Sequence, residues 1–424
     1  ALVCAALGMV ARRRVTVGLV GFALLGAIGI GAVLSRPGAA VLDAVPTLLG
    51  TIVGVWFLWA TTDVPPLPSS GLSRRWIVGG AVGAVAAYLG NMLSASSTAA
   101  TASRAAAAAP DVPLDVGTRV TIPPGADLKI SGVAPFVSPN AGFYRIDTAF
   151  VVPRLDANTW RLKVTGMVEH EVELDWATLQ SKELQEALVT LCCVSNDVGG
   201  DLIGNAIWTG WPVRELLKLA GPKPGADMVL QTSADGWTCG TPLGALTDDR
   251  NALLAIRMNG EPLPFEHGFP VRVVVPGLYG YVSACKWVTE LKVTTFAADA
   301  GYWTPRGWSA KGPVKTASRI DVPGSGAAVP AGTVAIAGVA WAQHRGISAV
   351  EVQVDDGPWA SARLAVDASI DAWRQWVFEW DAVRGSHDIR VRATDGTGAV
   401  QTPIEAPPAP DGASGYHSVT VRVD

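Results

Sequence analysis

The segment Leu191-Cys192-Cys193-Val194-Ser195-Asn196-Asp197 closes a run, Ala187 to Leu191, that reads as a buried strand, and it opens onto the Gly199-Gly200 turn. A second segment answers it downstream: His267-Gly268-Phe269-Pro270-Val271-Arg272-Val273-Val274-Val275-Pro276-Gly277, followed by Lys286-Trp287. A thiol at a strand end, with a later His, Arg and Lys, is a set of groups suited to holding a soft metal beside an anionic cofactor. Cys192 is the local competitor for the metal. A continuing strand sends its side chain to the opposite face from that of Cys193.

The composition bounds the alternatives. The chain has 424 residues, enough for two or three domains. Its mean hydropathy is +0.29 and 49% of its residues are hydrophobic. A net charge of −4, with no basic cluster interleaved with aromatics, argues against a nucleic-acid partner. Cysteines 4, 192, 193, 239 and 285 form no CxxC, no CxxCH and no Cys/His zinc spacing, which excludes an attached haem c and a zinc finger.

Four regions follow from texture. Residues 1–94 carry three long apolar runs, Val15 to Leu34, Val41 to Ala60 and Trp76 to Leu93, read as transmembrane helices. Arg12 to Arg14 and Arg74-Arg75 orient them with the later residues outside the cell. Ser73-Arg74-Arg75-Trp76-Ile77 reads equally as a twin-arginine export signal or as a positive-inside anchor. The expected location is therefore a multi-pass cell membrane protein with an extracytoplasmic catalytic part. Residues 95–139, rich in Ala, Ser, Thr and Pro, read as an extended linker.

Residues 140–321 mix periods and read as an α+β domain with a mainly β core. Trp160 to Val164 and Trp287 to Val293 alternate as strands, Val271 to Val275 is a buried strand, and Leu174 to Leu188 has helical spacing behind an Asp175 cap. Val213 to Ala220 is a short helix stopped by Gly221-Pro222. Residues 322–424 hold short alternating strands (Thr333 to Ala337, Ile347 to Val354, Val377 to Trp380, Asp388 to Ala393, Ser418 to Val423) separated by Asp-Gly turns. That spacing predicts an immunoglobulin-like β-sandwich.

The two segments that open this reading resemble the molybdenum-cofactor domain of the sulfite oxidase family, in which a Cys ending a Leu-x-Cys-x-x-Asn segment binds molybdenum; the matching thiol is Cys193. The resemblance covers most of the chain after residue 140. It implies a molybdenum-molybdopterin cofactor held by one protein thiolate, and pterin or phosphate contacts from His267, Arg272 and Lys286, with Ala284 and Cys285 in the same loop. Phe143-Tyr144-Arg145-Ile146-Asp147, before Val152-Pro153, resembles the family's entry motif; one alignment selects Arg145 and another Asp147, and Tyr144 stands directly before Arg145 in the same motif. Asp235, in Ala234-Asp235-Gly236-Trp237, matches a pocket position, and Tyr302 a proton donor. The stretch Tyr302 to Trp308 is expected at the pocket rim, with Arg306 as a substitute anion anchor. Asp197 stands where sulfite-oxidising members carry cationic anchors, and is expected to repel an oxyanion.

The resemblance thus implies oxygen-atom transfer to or from a small oxyanion or an S- or N-oxide, with electrons passing to a separate haem protein or quinone-linked partner. The C-terminal sandwich resembles the family's dimerisation domain, which implies a homodimer. Two rivals stand beside this reading: a sulfoxide-type reductase of the same fold, and a cofactor-free envelope binding protein.

Overall fold

The nine-residue strand Leu184–Cys192 is the axis of the molecule. It pairs antiparallel with Ile203–Pro212 from Gln185↔Gly210 to Cys192↔Ile203. That second strand pairs with Leu253–Met258, which in turn pairs with Arg272–Val274. Nearly every side chain along Leu184–Cys192 is buried, which is why its sequence reads as a continuous apolar run. In a computed structural model of the chain, residues 97–108 and 114–424 are described, with isolated helical positions between 20 and 56.

The chain divides into two compact units, Ala1–Ala95 and Ser96–Asp424. In the first, short helical stretches occur at residues 26–30 and 50–53. The second holds four sheets. Beside the Cys strand's sheet lies a five-stranded sheet built from Val172–Asp175, Arg161–Gly166, Val288–Thr294, Met228–Ser233 and Thr238–Pro242, in that order. Two further sheets form the C-terminal sandwich, whose first strand, Ala317–Val322, starts before the change of texture. Its strands include Gly332–Trp341, Ile347–Val354, Arg374–Ala382, Gly385–Asp395 and His417–Val423, which contain or match every strand expected there.

Three expectations need correction. The described structure is mostly β, so the α+β class with N-terminal transmembrane helices is not upheld. Among the described residues no helix is long and apolar enough to cross a membrane, and the multi-pass location falls with it. The longest unbroken helix described, residues 97–107, spans about 16 Å at ~1.5 Å per residue, roughly half of a hydrocarbon core. The expected spans 15–34, 41–60 and 76–93 lie almost wholly outside the described residues, as does the twin-arginine-like segment 73–77.

Part of the segment read as an extended linker carries regular structure. The helix at residues 97–107 buries Ala100, Ser103 and Ala107, and its Arg104 donates to Leu263 O (2.8 Å) and Pro262 O (3.1 Å). Small residues let that helix lie close to the body. Further on, Val116–Thr118 joins the Cys strand's sheet in parallel at Leu184 and Gln185.

The third correction is local. The helix expected over Leu174 to Leu188 ends at Gln180; Trp176–Gln180 is capped by Asp175, whose carboxylate accepts from Thr178 N at 2.8 Å. From Leu184 onward the good helix formers Leu, Gln, Glu and Ala lie in a strand, because pairing with Ile203–Pro212 outweighs local propensity. The helix Val213–Ala220 matches its expected bounds, with Gly221 in the left-handed region (φ 66°) as its stop.

Candidate active site

Strand pairing ends at Cys192↔Ile203, and Cys193 begins the turn beyond it. Its amide donates to Leu202 O at 2.9 Å, and its carbonyl accepts from Asn196 N at 3.1 Å. Asn196 closes the turn by accepting from Leu202 N at 2.8 Å. The thiol is 9% exposed on the wall of a cleft that encloses about 930 Å³ including its open mouth. Burial raises its pKa, against a weaker pull from the Ser195 N–H 3.4 Å away. Cys193 is therefore a neutral thiol in the free protein, and needs a metal or cation to deprotonate it.

Cys192 faces elsewhere. It lines a smaller cavity at the junction with the sandwich, together with Asn196, Asp197, Tyr279 and Ser318. The alternation along the strand thus separates the two thiols. Asp197 goes with Cys192 and is not among the residues that line the cleft.

The same cleft gathers positive charge. The short turn Phe265–His267 ends at Gly268 (φ 111°), and Arg272 starts the strand Arg272–Val274. Arg272 is buried, lies 4.9 Å above the Trp208 ring and donates to His267 O at 3.2 Å. Its Nε has no partner. Burial pulls its pKa down to about 10, so it is still a cation at neutral pH. His267 sits edge-on to Phe143 at 5.5 Å, with Nε2 3.3 Å from Asn140 O, so the neutral ring carries its proton on Nε2. Burial, then Arg272 and Lys286, hold its pKa at about 4.

Lys286 Nζ lies 2.6 Å from Asp147 Oδ2 and 3.1 Å from Glu266 O. Burial lowers its pKa to about 8, with the Asp147 bond opposing. Burial works against the Asp147 carboxylate, but its hydrogen bonds from Arg145 and Lys286 outweigh this and hold its pKa low. Arg145 reaches Asp147 through Nε (2.8 Å) and Nη2 (3.3 Å), so the two alternatives left by the sequence form one ion pair.

Tyr144, stacked on Phe143 at 5.2 Å, also lines the cleft; burial and then Cys193 raise its pKa, leaving a neutral hydroxyl. Asp235 lines the cleft from a turn in which it accepts from Trp237 N at 3.2 Å. Ala284 lines it as well. Cys285 lies behind the wall, fully buried, with its amide 3.4 Å from Gln231 Oε1.

Tyr302 is not among the lining residues. Its ring is covered by the Arg306 guanidinium at 3.7 Å, and Arg306 in turn donates to Tyr302 O at 2.6 Å. The anchor expected of Arg306 is thus spent on its own loop. Trp303 and Trp308 from that loop do line the cleft, together with Trp237 and Tyr281. Tyr281 went unread in the sequence; its signal was an aromatic directly after Gly280, just past the second segment. Its hydroxyl donates to Ser309 O at 2.7 Å, and burial pushes its pKa up to about 12.

The donor set fits a pterin-borne metal centre. One soft sulfur faces the cleft, and a buried guanidinium Nε has no protein acceptor. Among the described residues no group of three or more His, Cys, Asp or Glu is placed to hold a metal. A metal at Cys193 would take its other ligands from a cofactor.

Comparison with known proteins agrees with that chemistry. The profile of the oxidoreductase molybdopterin binding domain matches residues 149–303. Sulfite oxidase of Gallus gallus is 30% identical over 323 residues, covering 64% of this chain and 69% of that protein. Mitochondrial sulfite oxidase of Mus musculus is 29% identical over 321 residues; the chain spans 58% of its length. The crystal structure of the sulfane dehydrogenase from Paracoccus pantotrophus superposes with a TM-score of 0.59 at 23% identity, over 70% of this chain and 85% of that one, a likeness of fold.

Proposed function

The chain belongs to the sulfite oxidase family of molybdopterin-dependent oxidoreductases, and from that premise we propose that it exchanges an oxygen atom with a small substrate through a molybdenum cofactor held at Cys193. The observation that supports this most is the convergence, on one cleft, of the Cys193 thiol with Arg272, Lys286 and a neutral His267. When bound, the cofactor supplies the two-electron redox chemistry. The protein's own residues bind and orient. Cys193 offers one thiolate once the metal displaces its proton. Arg272 Nε offers a donor to an anionic group, and Lys286 a compact charge. His267 stays neutral, with its Nε2 proton on Asn140 O. Tyr281 keeps its proton at neutral pH, and the tryptophans narrow the solvent-exposed side. Electrons leave or arrive singly through a separate carrier, a haem protein or a quinone-linked one.

A sulfoxide-type reductase is the second reading, and the cleft wall favours it. The lining cations are Arg272 and Lys286, and Lys286 is already paired with Asp147. Trp237, Tyr281, Trp303 and Trp308 add flat, uncharged surface, which suits a neutral organic sulfur centre better than sulfite. Purified chain from a host that makes the cofactor should turn over with an artificial one-electron carrier. Faster turnover of sulfite than of a neutral aryl sulfoxide selects the first reading, and the reverse order selects the second. No turnover of either by metal-loaded protein contradicts the proposal.

A further inference from the structure

We infer that the C-terminal sandwich positions the Cys193 thiol, by gripping the strand that carries it on both sides of the cysteine. The strand Leu184–Cys192 has a partner along one edge, but on its other edge Val116–Thr118 reaches only Leu184 and Gln185. Further along, the sandwich bonds that edge at Thr190. Thr190, three residues before Cys193, donates its amide to Asp371 O at 2.9 Å and accepts at its carbonyl from Gln343 Nε2 at 2.9 Å. Its hydroxyl accepts from Trp373 N at 2.7 Å and donates to Asn205 on the partner strand at 2.9 Å. All of these groups are buried. All three polar atoms of Thr190 are thus engaged by the sandwich.

A second grip lies beyond the cysteine. Arg319, on the sandwich's first strand, donates from Nη1 to Gly200 O at 2.8 Å and is itself fixed by Asp321 at 2.6 Å. Gly199 (φ 79°) lies against His417 so closely that a Cβ there would collide with the imidazole. Cys193 lies between these grips, in a turn with no strand partner of its own. A turn gripped at both ends holds its side chain in one place, and buried hydrogen bonds leave little freedom to shift. Thr190, Gln343 and Arg319 are positioning residues, since none of them lines the cleft.

The test uses the full chain in four forms: wild type, the near-isosteric variants Thr190→Val and Gln343→Met, and Val391→Ala. The last removes buried volume within the sandwich's own core and serves as a matched loss of stability. Two readouts are taken at temperatures well below unfolding. One is the rate at which iodoacetamide labels Cys193 in cofactor-free protein, followed by peptide mass spectrometry against Cys239. The other is the thiolate-to-metal absorption band of loaded protein. Thr190→Val and Gln343→Met should each raise the labelling rate about tenfold and shift the band, while Val391→Ala does neither. Should the strand variants fail to fold, Arg319→Lys at the other grip carries the same expectation. Variants that match Val391→Ala in both readouts would overturn the inference. The inference concerns the thiol and survives without the metal: if the wild type binds no metal, the proposed function fails while the labelling contrast still decides this question.

Discussion

At Cys193, chemistry depends on a partner the side chain does not have within the protein. Its pKa is raised by burial and the Ser195 N–H only partly offsets that, so the thiol is quiet until a metal arrives. His267 is a second such residue. Its pKa of about 4 lies below the ordinary ~6.5, so between those values the unfolded chain binds more protons than the folded one. Its contribution to stability is present above about pH 6.5 and is lost as pH falls toward 4, a change of about 3 kcal/mol. Urea unfolding at pH 6.5 and 4.5 should show a fall in stability about 2 kcal/mol smaller for His267→Gln than for wild type; equal falls would contradict a neutral buried ring. Asp147 makes a further case. Its carboxylate and Lys286 Nζ are both nearly enclosed. Asp147→Asn should therefore cost about 3 kcal/mol in denaturant unfolding, because it strands a buried ammonium. A loss below ~1 kcal/mol would mean that solvent reaches the pair. Cys193, His267, Arg272 and Lys286, each in a distinctive string of the sequence, line one cleft, and that much of the candidate site was legible. Tyr281 was not, because a lone tyrosine after Gly280 has no pattern, and an aromatic loop such as Tyr302 to Trp308 does not reveal which of its rings turns inward.

Elements were read best where one period dominated. Ile347–Val354 and Val213–Ala220 fell at their expected bounds, since alternation and a capped amphipathic turn are local signals. The run from Leu174 to Leu188 was misread because Leu, Glu, Gln and Ala favour a helix, while the partner that makes Leu184–Cys192 a strand lies more than ten residues downstream. That sheet contains a testable close approach. Gly210 sits where the register of Ile203–Pro212 against Leu253–Met258 shifts, and a Cβ there would run into the Leu254 carbonyl. Backbone cannot yield as a side-chain tip does. Gly210→Ala should destabilise by about 2 kcal/mol in chemical denaturation, and a neutral result would show that the shifted register relaxes freely.

Across the whole molecule the change of texture near residue 322 was visible, but the join it hides was not. Trp341, Ala372 and Trp373 of the sandwich belong to the same apolar cluster as Leu188, Leu191 and Val194. Trp373 also donates from its indole to Phe136 O at 2.9 Å. Long-range packing of this kind leaves no periodic trace in either segment. It predicts that Ser96–Asp424 unfolds in one calorimetric transition, and that a chain ending after Val314 exposes this surface and aggregates. Two separate transitions would contradict a shared core. At the N-terminus the hydropathy of three runs was legible; they lie almost wholly outside the described residues, among which no helix is long and apolar enough to cross a membrane.

The central claim is that Cys193, and not Cys192, binds the metal of a pterin cofactor. It is tested most directly by molybdenum and pterin analysis of wild type, Cys193→Ser and Cys192→Ser, each purified from a host that makes the cofactor. The account predicts roughly one molybdenum and one pterin per chain in wild type and in Cys192→Ser, as for a site with a single protein thiolate, and loss of the metal or its thiolate absorption in Cys193→Ser. A wild-type chain with neither component, or a metal lost with Cys192 and retained without Cys193, would contradict it.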